Sequence, residues 1–84
     1  MNNNINKDRK LLAFILANDV VNGTLIFDSY DKKENNNFLS IYNFIYLLIN
    51  ESDLLELNTI RTLRSDKTYT TIENLIKTAK LLNI

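Results

Sequence analysis

The segment from Phe38 to Ile49 limits the folds open to this chain more than any other feature does. Only Ser40 and Asn43 are polar within it, and the other ten residues are aliphatic or aromatic. Twelve residues are too few to cross a bilayer, so the pattern indicates a helix that is buried on all sides. In a chain of 84 residues, such a helix is the centre of the fold, a dimer interface, or both. We expect it to start near Asn37 or Ser40.

The size of the chain predicts one helical domain, covering residues 7–84, after a disordered N-terminus of residues 1–6. Cysteine and histidine are both absent, which excludes disulfides and the usual zinc sites. We therefore expect no metal and no cofactor, and stability must come from packing. The supply of Leu and Ile is more than a monomer of this size easily buries, which favours a homodimer.

The first predicted helix runs from Lys7 to Val21 and stops at Asn22-Gly23. Its apolar residues at helical spacing are Leu11, Leu12, Ile15, Leu16 and Val20. The segment Thr24–Phe27 is interpreted as part of a loop. A short strand is the alternative, and it would make a winged or α+β variant of the fold. Residues 28–37 are polar and Asn-rich, which indicates a solvated loop.

Two more helices are predicted after the apolar segment Phe38–Asn50. The third runs from about Leu54 to Ser65, and Asp53 with Glu56 resembles a capping box at its start. The fourth follows a capping box formed by the sequence Thr70-Thr71-Ile72-Glu73. Its predicted core stripe consists of Ile72, Leu75, Ile76, Ala79 and Leu82. The predicted fold class is therefore all-α, a small four-helix domain.

The third predicted helix carries one polar face, formed at helical spacing by Asn58, Arg61, Thr62 and Ser65. Its opposite side is apolar, with Leu57, Ile60 and Leu63. In the major groove, Asn pairs with adenine, Arg pairs with guanine, and Thr contacts the thymine methyl group. Arg64 and Lys67 flank this face, where they would bind phosphates. A simple solvated helix face is the alternative interpretation.

The formal net charge is zero, but the charges are unevenly distributed along the chain. Residues 57–84 carry five basic and two acidic residues, whereas residues 28–56 carry two basic and six acidic residues. Such asymmetry is a known pointer to nucleic-acid contact. The basic part coincides with the polar helix face.

The residue order from Asn58 to Ile84 resembles the back half of a Cro/Xre-type helix-turn-helix. Asn58-Thr59-Ile60 and Leu63 stand where that family has its recognition helix, and Asp66-Lys67 stands at its Gly-Lys turn. The matching packing helix is represented by Ile72, Glu73, Asn74, Leu75, Ala79 and Leu82. The resemblance covers about 27 of the 84 residues. It implies a divergent helix-turn-helix in which Leu57, Asn58 and Thr62 meet base edges while Lys67 and Thr68 approach the DNA backbone.

The chain departs from the family pattern at two positions within this segment and again upstream of it. The family's turn glycine is replaced by Asp66, which we expect in the left-handed conformation, and its proline is replaced by Thr70. Upstream, residues 50–54 contain neither the Leu-Ala pair of the family's scaffold helix nor its glycine. The apolar helix also lacks a small residue that would let a second helix cross closely.

These patterns predict a small DNA-binding transcriptional regulator that is cytoplasmic and binds as a homodimer. Its size is typical of a regulator from a mobile genetic element, such as a phage or plasmid. The predicted DNA-binding residues are Leu57, Asn58, Thr59, Arg61, Thr62, Arg64, Ser65, Lys67 and Thr68. The predicted dimer interface consists of Phe38, Tyr42, Ile45, Tyr46 and Ile49, with residues 7–21 as a further contributor. The alternative is a protein–protein interaction module, such as a phage or mobile-element inhibitor or an antitoxin-like partner.

Catalysis is not expected. Without His or Cys, no close pair of catalytic side chains stands out, and a Gly-rich phosphate loop is absent because Gly23 is the only glycine. The acidic residues Asp28, Asp31 and Glu34 lack the alternating ligands and glycine of a calcium site.

Overall fold

The computed structural model describes residues 3–30, 37–52 and 56–82, with only the backbone for residues 3–5. These residues form four helices and no strand, which confirms the predicted all-α fold. The helices are α1 (Asn3–Asn22), α2 (Phe38–Asn50), α3 (Leu57–Asp66) and α4 (Ile72–Leu82). The most extensive pairing is between α1 and α2, followed by α3 with α4, and α1 also contacts α3.

Helix α1 begins at Asn3, so it extends four residues into the terminus that was predicted to be disordered. Adding a turn to a formed helix costs much less than starting one, which accounts for the polar first turn. The predicted stop at Asn22-Gly23 is confirmed. Gly23 has a φ of 85°, its N–H donates to Val20 O at 3.1 Å, and Thr24 N donates to Asp19 O at 2.8 Å. This pair of bonds is the Schellman motif, which requires a left-handed residue.

The buried stripe of α1 differs from the predicted one by including Ala13 and Ala17, whereas Leu11 is half exposed. These two alanines, four residues apart, are fully buried. Small side chains on one helix allow a second helix to approach it closely, and α1 supplies such residues where α2 has none. The core face of α1 consists of Leu12, Ala13, Leu16, Ala17 and Val20.

Helix α2 starts where it was predicted to start, because the side chain of Asn37 accepts a hydrogen bond from Ser40 N at 2.8 Å. One face of α2 is fully buried, and it consists of Ile41, Ile45 and Ile49. The prediction of burial on all sides is nevertheless wrong within a single chain. Leu39, Phe44 and Leu47 are all exposed, although the ring of Phe44 contacts the ring of Tyr30 edge-on, with the centroids 5.3 Å apart.

The segment Thr24–Phe27 is a loop and makes only one isolated bridge within the described residues. Ile26 N donates to Thr70 O at 2.8 Å, and Ile72 N donates to Ile26 O at 2.9 Å. A single bridge does not make a strand, so the winged alternative is not observed there. The bridge instead joins the loop after α1 to the start of α4.

The N-cap of α4 is Thr71, one residue later than predicted. Its Oγ1 accepts the N–H of Asn74 at 3.1 Å. The bridge to Ile26 keeps the backbone extended through Thr71, so Glu73 falls in the second helical position and does not close a capping box. The predicted stripe of α4 is otherwise buried, except that Leu82 is exposed because the last turn extends past the core.

Glu73 holds the loop that follows the bridge. Its carboxylate accepts the backbone N–H groups of Asp28 at 3.2 Å and Ser29 at 2.8 Å. Burial, the largest single influence, raises the pKa of Glu73, but the hydrogen bonds from Ser29, Asp28 and its own backbone outweigh it, so the pKa is lowered. The carboxylate is therefore stabilised in its charged form.

The turn between α3 and α4 also differs from the prediction. Lys67 has the left-handed conformation, with φ 61° and ψ 13°, whereas Asp66 is the last residue of α3. The helix thus runs one residue further than the position of the family's glycine implied. At the other end, α3 begins at Leu57 after Glu56, whose side chain makes no capping bond. The predicted cap residue Asp53 and the predicted start at Leu54 lie outside the described residues.

Replacing Lys67 by Gly is expected to raise the free energy of unfolding by about 0.5–1 kcal/mol, because a left-handed L-residue costs roughly 1–2 kcal/mol and Gly avoids that cost. Urea unfolding followed by circular dichroism measures the change. The matched control is Lys77→Gly in the exposed interior of α4, which should lower stability by about 1 kcal/mol. Destabilisation by both variants would contradict the assigned backbone of Lys67.

Glu73→Gln is expected to lower the free energy of unfolding at pH 7 by about 1 kcal/mol, because charge-assisted bonds to two backbone N–H groups become neutral ones. A carboxyl group whose pKa is lowered by folding stabilises the fold above its unfolded pKa of about 4.3 and loses that contribution as the pH falls through the folded value. Acid unfolding should therefore be shallower for Glu73→Gln. The control is Glu56→Gln, at an exposed carboxylate that makes no capping bond, and it should change the free energy of unfolding at pH 7 by less than about 0.5 kcal/mol.

Candidate nucleic-acid interface

Helix α3 is fixed to the rest of the protein by its apolar side. Ile60 is fully buried, Leu63 is buried, and Leu57 is half-buried against the core. The packing partners of α3 are α4 and, less extensively, α1. The predicted apolar side of α3 is therefore confirmed. Because this side packs on the protein, the opposite face of α3 points away from it.

The opposite face of α3 is exposed as the helical spacing predicted. Asn58, Arg61, Thr62 and Ser65 are all exposed, while Thr59 is half-buried between the two faces. Ser65 Oγ donates to Arg61 O at 3.0 Å, which removes one donor from this surface. Within the described chain, Arg61 makes no ion pair, so its guanidinium is available to an external acceptor. We call Asn58, Arg61, Thr62 and Ser65 the α3 face.

Arg64 does not extend from this surface as a free phosphate ligand. Its Nε and Nη2 atoms donate to the two carboxylate oxygens of Asp19 at 2.5 Å and 2.9 Å, a bidentate pair across 45 residues. The side chains are 38% and 13% exposed, respectively. The hydrogen bond to Asp19 raises the pKa of Arg64, burial opposes it, and the charge of Asp19 adds to it. The predicted phosphate role of Arg64 thus competes with a structural one.

The turn after α3 presents one cation and one anion side by side. Lys67 is exposed, and its backbone is left-handed. Thr68 is also exposed, but its hydroxyl donates to Asp66 Oδ2 at 2.9 Å. Asp66 therefore orders the turn and places a negative charge beside the two residues that were predicted to meet the DNA backbone.

A cleft of about 560 Å³ adjoins the α3 face. The Asp19–Arg64 pair lines one part of it, and Lys67 and Tyr69 line another. Thr24 and Thr70 contribute hydroxyl groups to its wall. Because its charged groups are largely paired with each other, the cleft marks the boundary of the α3 face without adding a second strong anion site.

Among the described residues, α2 makes no extensive contact with α3, whereas the scaffold helix of a helix-turn-helix packs against the recognition helix that follows it. The extensive contacts of α2 are with α1, while α3 contacts α4 and α1. The helices α2 and α3 are separated by residues 51–56, which is longer than the usual turn of three or four residues. The helix-turn-helix part of the fold prediction therefore stays a prediction.

The predicted dimer interface is wrong for Ile45 and Ile49. Both are fully buried in the core of the single chain, so neither side chain has surface left for a partner. Phe38, Tyr42 and Tyr46 form a half-buried row of stacked rings, with centroids 6.4 Å and 6.1 Å apart. The three rings are partly buried and pack against the hydrophobic core, so only part of each ring is accessible.

Sequence reasoning missed Asp19 as a neighbour of the site. An acidic residue in the last turn of a helix is unfavourable next to the negative end of the helix dipole, so it signals a need for a cationic partner. That signal was available, but the identity of Arg64 as the partner was not, because the two residues are 45 positions apart. The acidic cluster at Asp28 lies partly outside the described residues.

Two further kinds of site were tested within the described ranges. No group of three or more acidic residues there is arranged to hold a metal ion. None of the described helices is both long enough and apolar enough to cross a membrane.

Arg64→Ala is expected to lower the free energy of unfolding by about 1 kcal/mol, because it leaves Asp19 without its partner in a partly screened environment. Arg61→Ala should change stability by less than about 0.5 kcal/mol, because Arg61 is exposed and unpaired among the described residues. Urea unfolding of the two variants tests this separation of roles. Equal losses in both would show that the Asp19–Arg64 pair contributes nothing specific.

No protein-family model matches the chain, and no curated protein or solved structure matches it either. The likeness of Asn58–Ile84 to Cro/Xre proteins is therefore one of residue order alone. The features of this chain that indicate an interface are the exposed polar α3 face, the guanidinium of Arg61, which makes no ion pair within the described residues, and the exposed Lys67 at the turn.

Proposed function

We propose that the protein is a small DNA-binding regulator that inserts the α3 face into the major groove. The observation that carries the proposal is the division of α3 into a buried apolar side and an exposed side with base-reading side chains. Asn58 is suited to adenine, Arg61 to guanine, and Thr62 to the methyl group of thymine.

The dimensions of α3 agree with this role. Ten residues make a helix of about 15 Å, and the major groove accepts a helix lengthwise or at an angle. Helices α4 and α1 hold α3 from behind, so its side chains are presented by a rigid element. Rigid presentation lowers the ordering cost of binding.

The electrostatic contribution is local. Arg61 and Lys67 are the exposed cations at the α3 face and its turn, and Thr68 lies next to them. Asp66 reduces the field there, so few phosphate contacts are expected in each chain. Affinity should accordingly depend on salt less steeply than for strongly basic DNA binders.

Binding as a homodimer completes the proposal. Two copies related by a two-fold axis would place two α3 helices in successive major grooves, about 34 Å apart, on a pseudo-palindromic site. A single α3 face contacts only a few base pairs. The second copy provides the additional contacts that operator-level affinity requires.

The experiment is a gel-shift titration against DNA from the gene's own upstream region over a salt series starting at about 50 mM, where phosphate contacts are strongest. Arg61→Ala is expected to weaken binding by roughly 5- to 150-fold, which corresponds to the loss of one bidentate contact of about 1–3 kcal/mol. Random-sequence DNA of equal length serves as the competitor.

The matched control is Lys77→Ala, which removes an exposed cation from α4, outside the α3 face. Its affinity should stay within about twofold of the parent chain. Absence of any shift at low salt would overturn the proposal and favour the protein–protein interaction alternative. An equal loss from Lys77→Ala and Arg61→Ala would show that binding is a general charge effect, without a role for the α3 face.

A further inference from the structure

We infer that the outward side of α2 is the surface on which a second copy of this chain binds, helix against helix. The inference shares with the proposed function the statement that the protein is a homodimer, and it rests on the proposed function in that respect alone. It does not require that the homodimer binds DNA. It also moves the interface from the predicted row of Phe38, Tyr42 and Tyr46 to the neighbouring side of the same helix, one residue further along the chain at each position.

The first observation is the apolar exposure of α2. Leu39 is 64% exposed, Leu47 is 58% exposed, and Phe44 is 55% exposed. Helix α2 has no charged residue at any position from Phe38 to Asn50. A helix side that remains in water usually carries charges, so this side has the composition of a contact surface.

The second observation is the spacing of the exposed residues. Leu39, Asn43 and Leu47 are four residues apart, so they form one i±4 ridge along α2. The ridge is symmetric about Asn43, with a leucine at each end. A two-fold axis beside Asn43 would pack each Leu39 against the Leu47 of the other copy, in an antiparallel pair.

Asn43 gives this pair a register. At the axis, the two Asn43 side chains would face each other, and an amide both donates and accepts a hydrogen bond. A single polar residue in an apolar helix contact is a known way to select one alignment. The symmetric ridge argues for a second copy as the occupant, because an unrelated helix would not need a surface that is complementary to itself.

The third observation is the extent of the apolar surface. Beyond Leu39 it continues into a groove of about 540 Å³ against α1, where Leu11 and Phe14 are also half exposed. At about 200 Å² for a whole side chain of this size, the five exposed residues present roughly 500–600 Å². That area is at the upper limit for a monomer surface and supplies most of the roughly 800 Å² per partner in a standard interface.

The test uses the absence of cysteine from the chain, so that a single introduced thiol reports one position. Asn43→Cys should cross-link to a second copy with a short bismaleimide, without DNA, because the thiols lie beside the two-fold axis. Leu39→Cys and Leu47→Cys should cross-link to each other when the two variants are mixed, but each only weakly to itself. Lys80→Cys, on the exposed side of α4, is the matched control and should stay uncross-linked.

A second measurement covers the risk that a variant fails to fold. Leu47→Lys should leave the circular dichroism of the chain unchanged, since Leu47 is exposed, and should reduce the light-scattering mass from twice 9.8 kDa to 9.8 kDa. A monomeric parent chain, or a dimeric mass that survives in folded Leu47→Lys, would overturn the inference.

The cross-links test the register separately. Self-cross-linking of Leu39→Cys as strong as that of Asn43→Cys would overturn the antiparallel register. Arg61→Ala should cross-link normally through Asn43→Cys, so failure of DNA binding is distinguishable from failure of the dimer.

Discussion

The fold depends on the backbone of one short segment, residues 25–30, which ties two helical pairs together. Helices α1 and α2 form one pair, α3 and α4 the other, and direct contact between the pairs is limited to α1 with α3 among the extensive contacts. The segment bridges this gap with two backbone bonds from Ile26 to the start of α4 and two more from its next turn to Glu73. It also contributes Leu25, Phe27 and Tyr30 to the core. The loop therefore contributes to the core and holds the two helical pairs together, as a helix of the fold does.

Most of the helical architecture follows from local patterns, and the differences arise from contacts distant in sequence. The spacing of Ile72, Leu75, Ile76 and Ala79 is sufficient to identify α4, because those side chains determine which side is buried whatever surrounds them. The cap of α4 shifted by one residue because the bridge from Ile26 keeps Thr71 extended. The left-handed residue shifted from Asp66 to Lys67 because α3 continues for one more residue. No local pattern contains either of these causes.

At the candidate interface, too, some features follow from local patterns and others depend on contacts distant in sequence. Helical spacing alone predicted which residues of α3 would share the exposed face, and Asn58, Arg61 and Thr62 are there. The fate of Arg64 was not predictable in this way, because its partner Asp19 belongs to another helix. Burial of Ile45 and Ile49 likewise depended on how α2 is turned toward α1. Periodicity identifies faces reliably, but which face meets which neighbour is a property of the whole fold.

Asp19 takes part in two hydrogen-bond systems at once. Its carbonyl oxygen accepts the backbone N–H groups of Thr24 and Leu25 and the hydroxyl group of Thr24, which together end α1. Its carboxylate holds Arg64 near the end of α3. The geometry of the turn at Gly23 and the orientation of α3 are therefore coupled through Asp19. Substitutions at the turn and at Arg64 should have non-additive effects, although more than 40 residues separate them, because they act through the position of one residue.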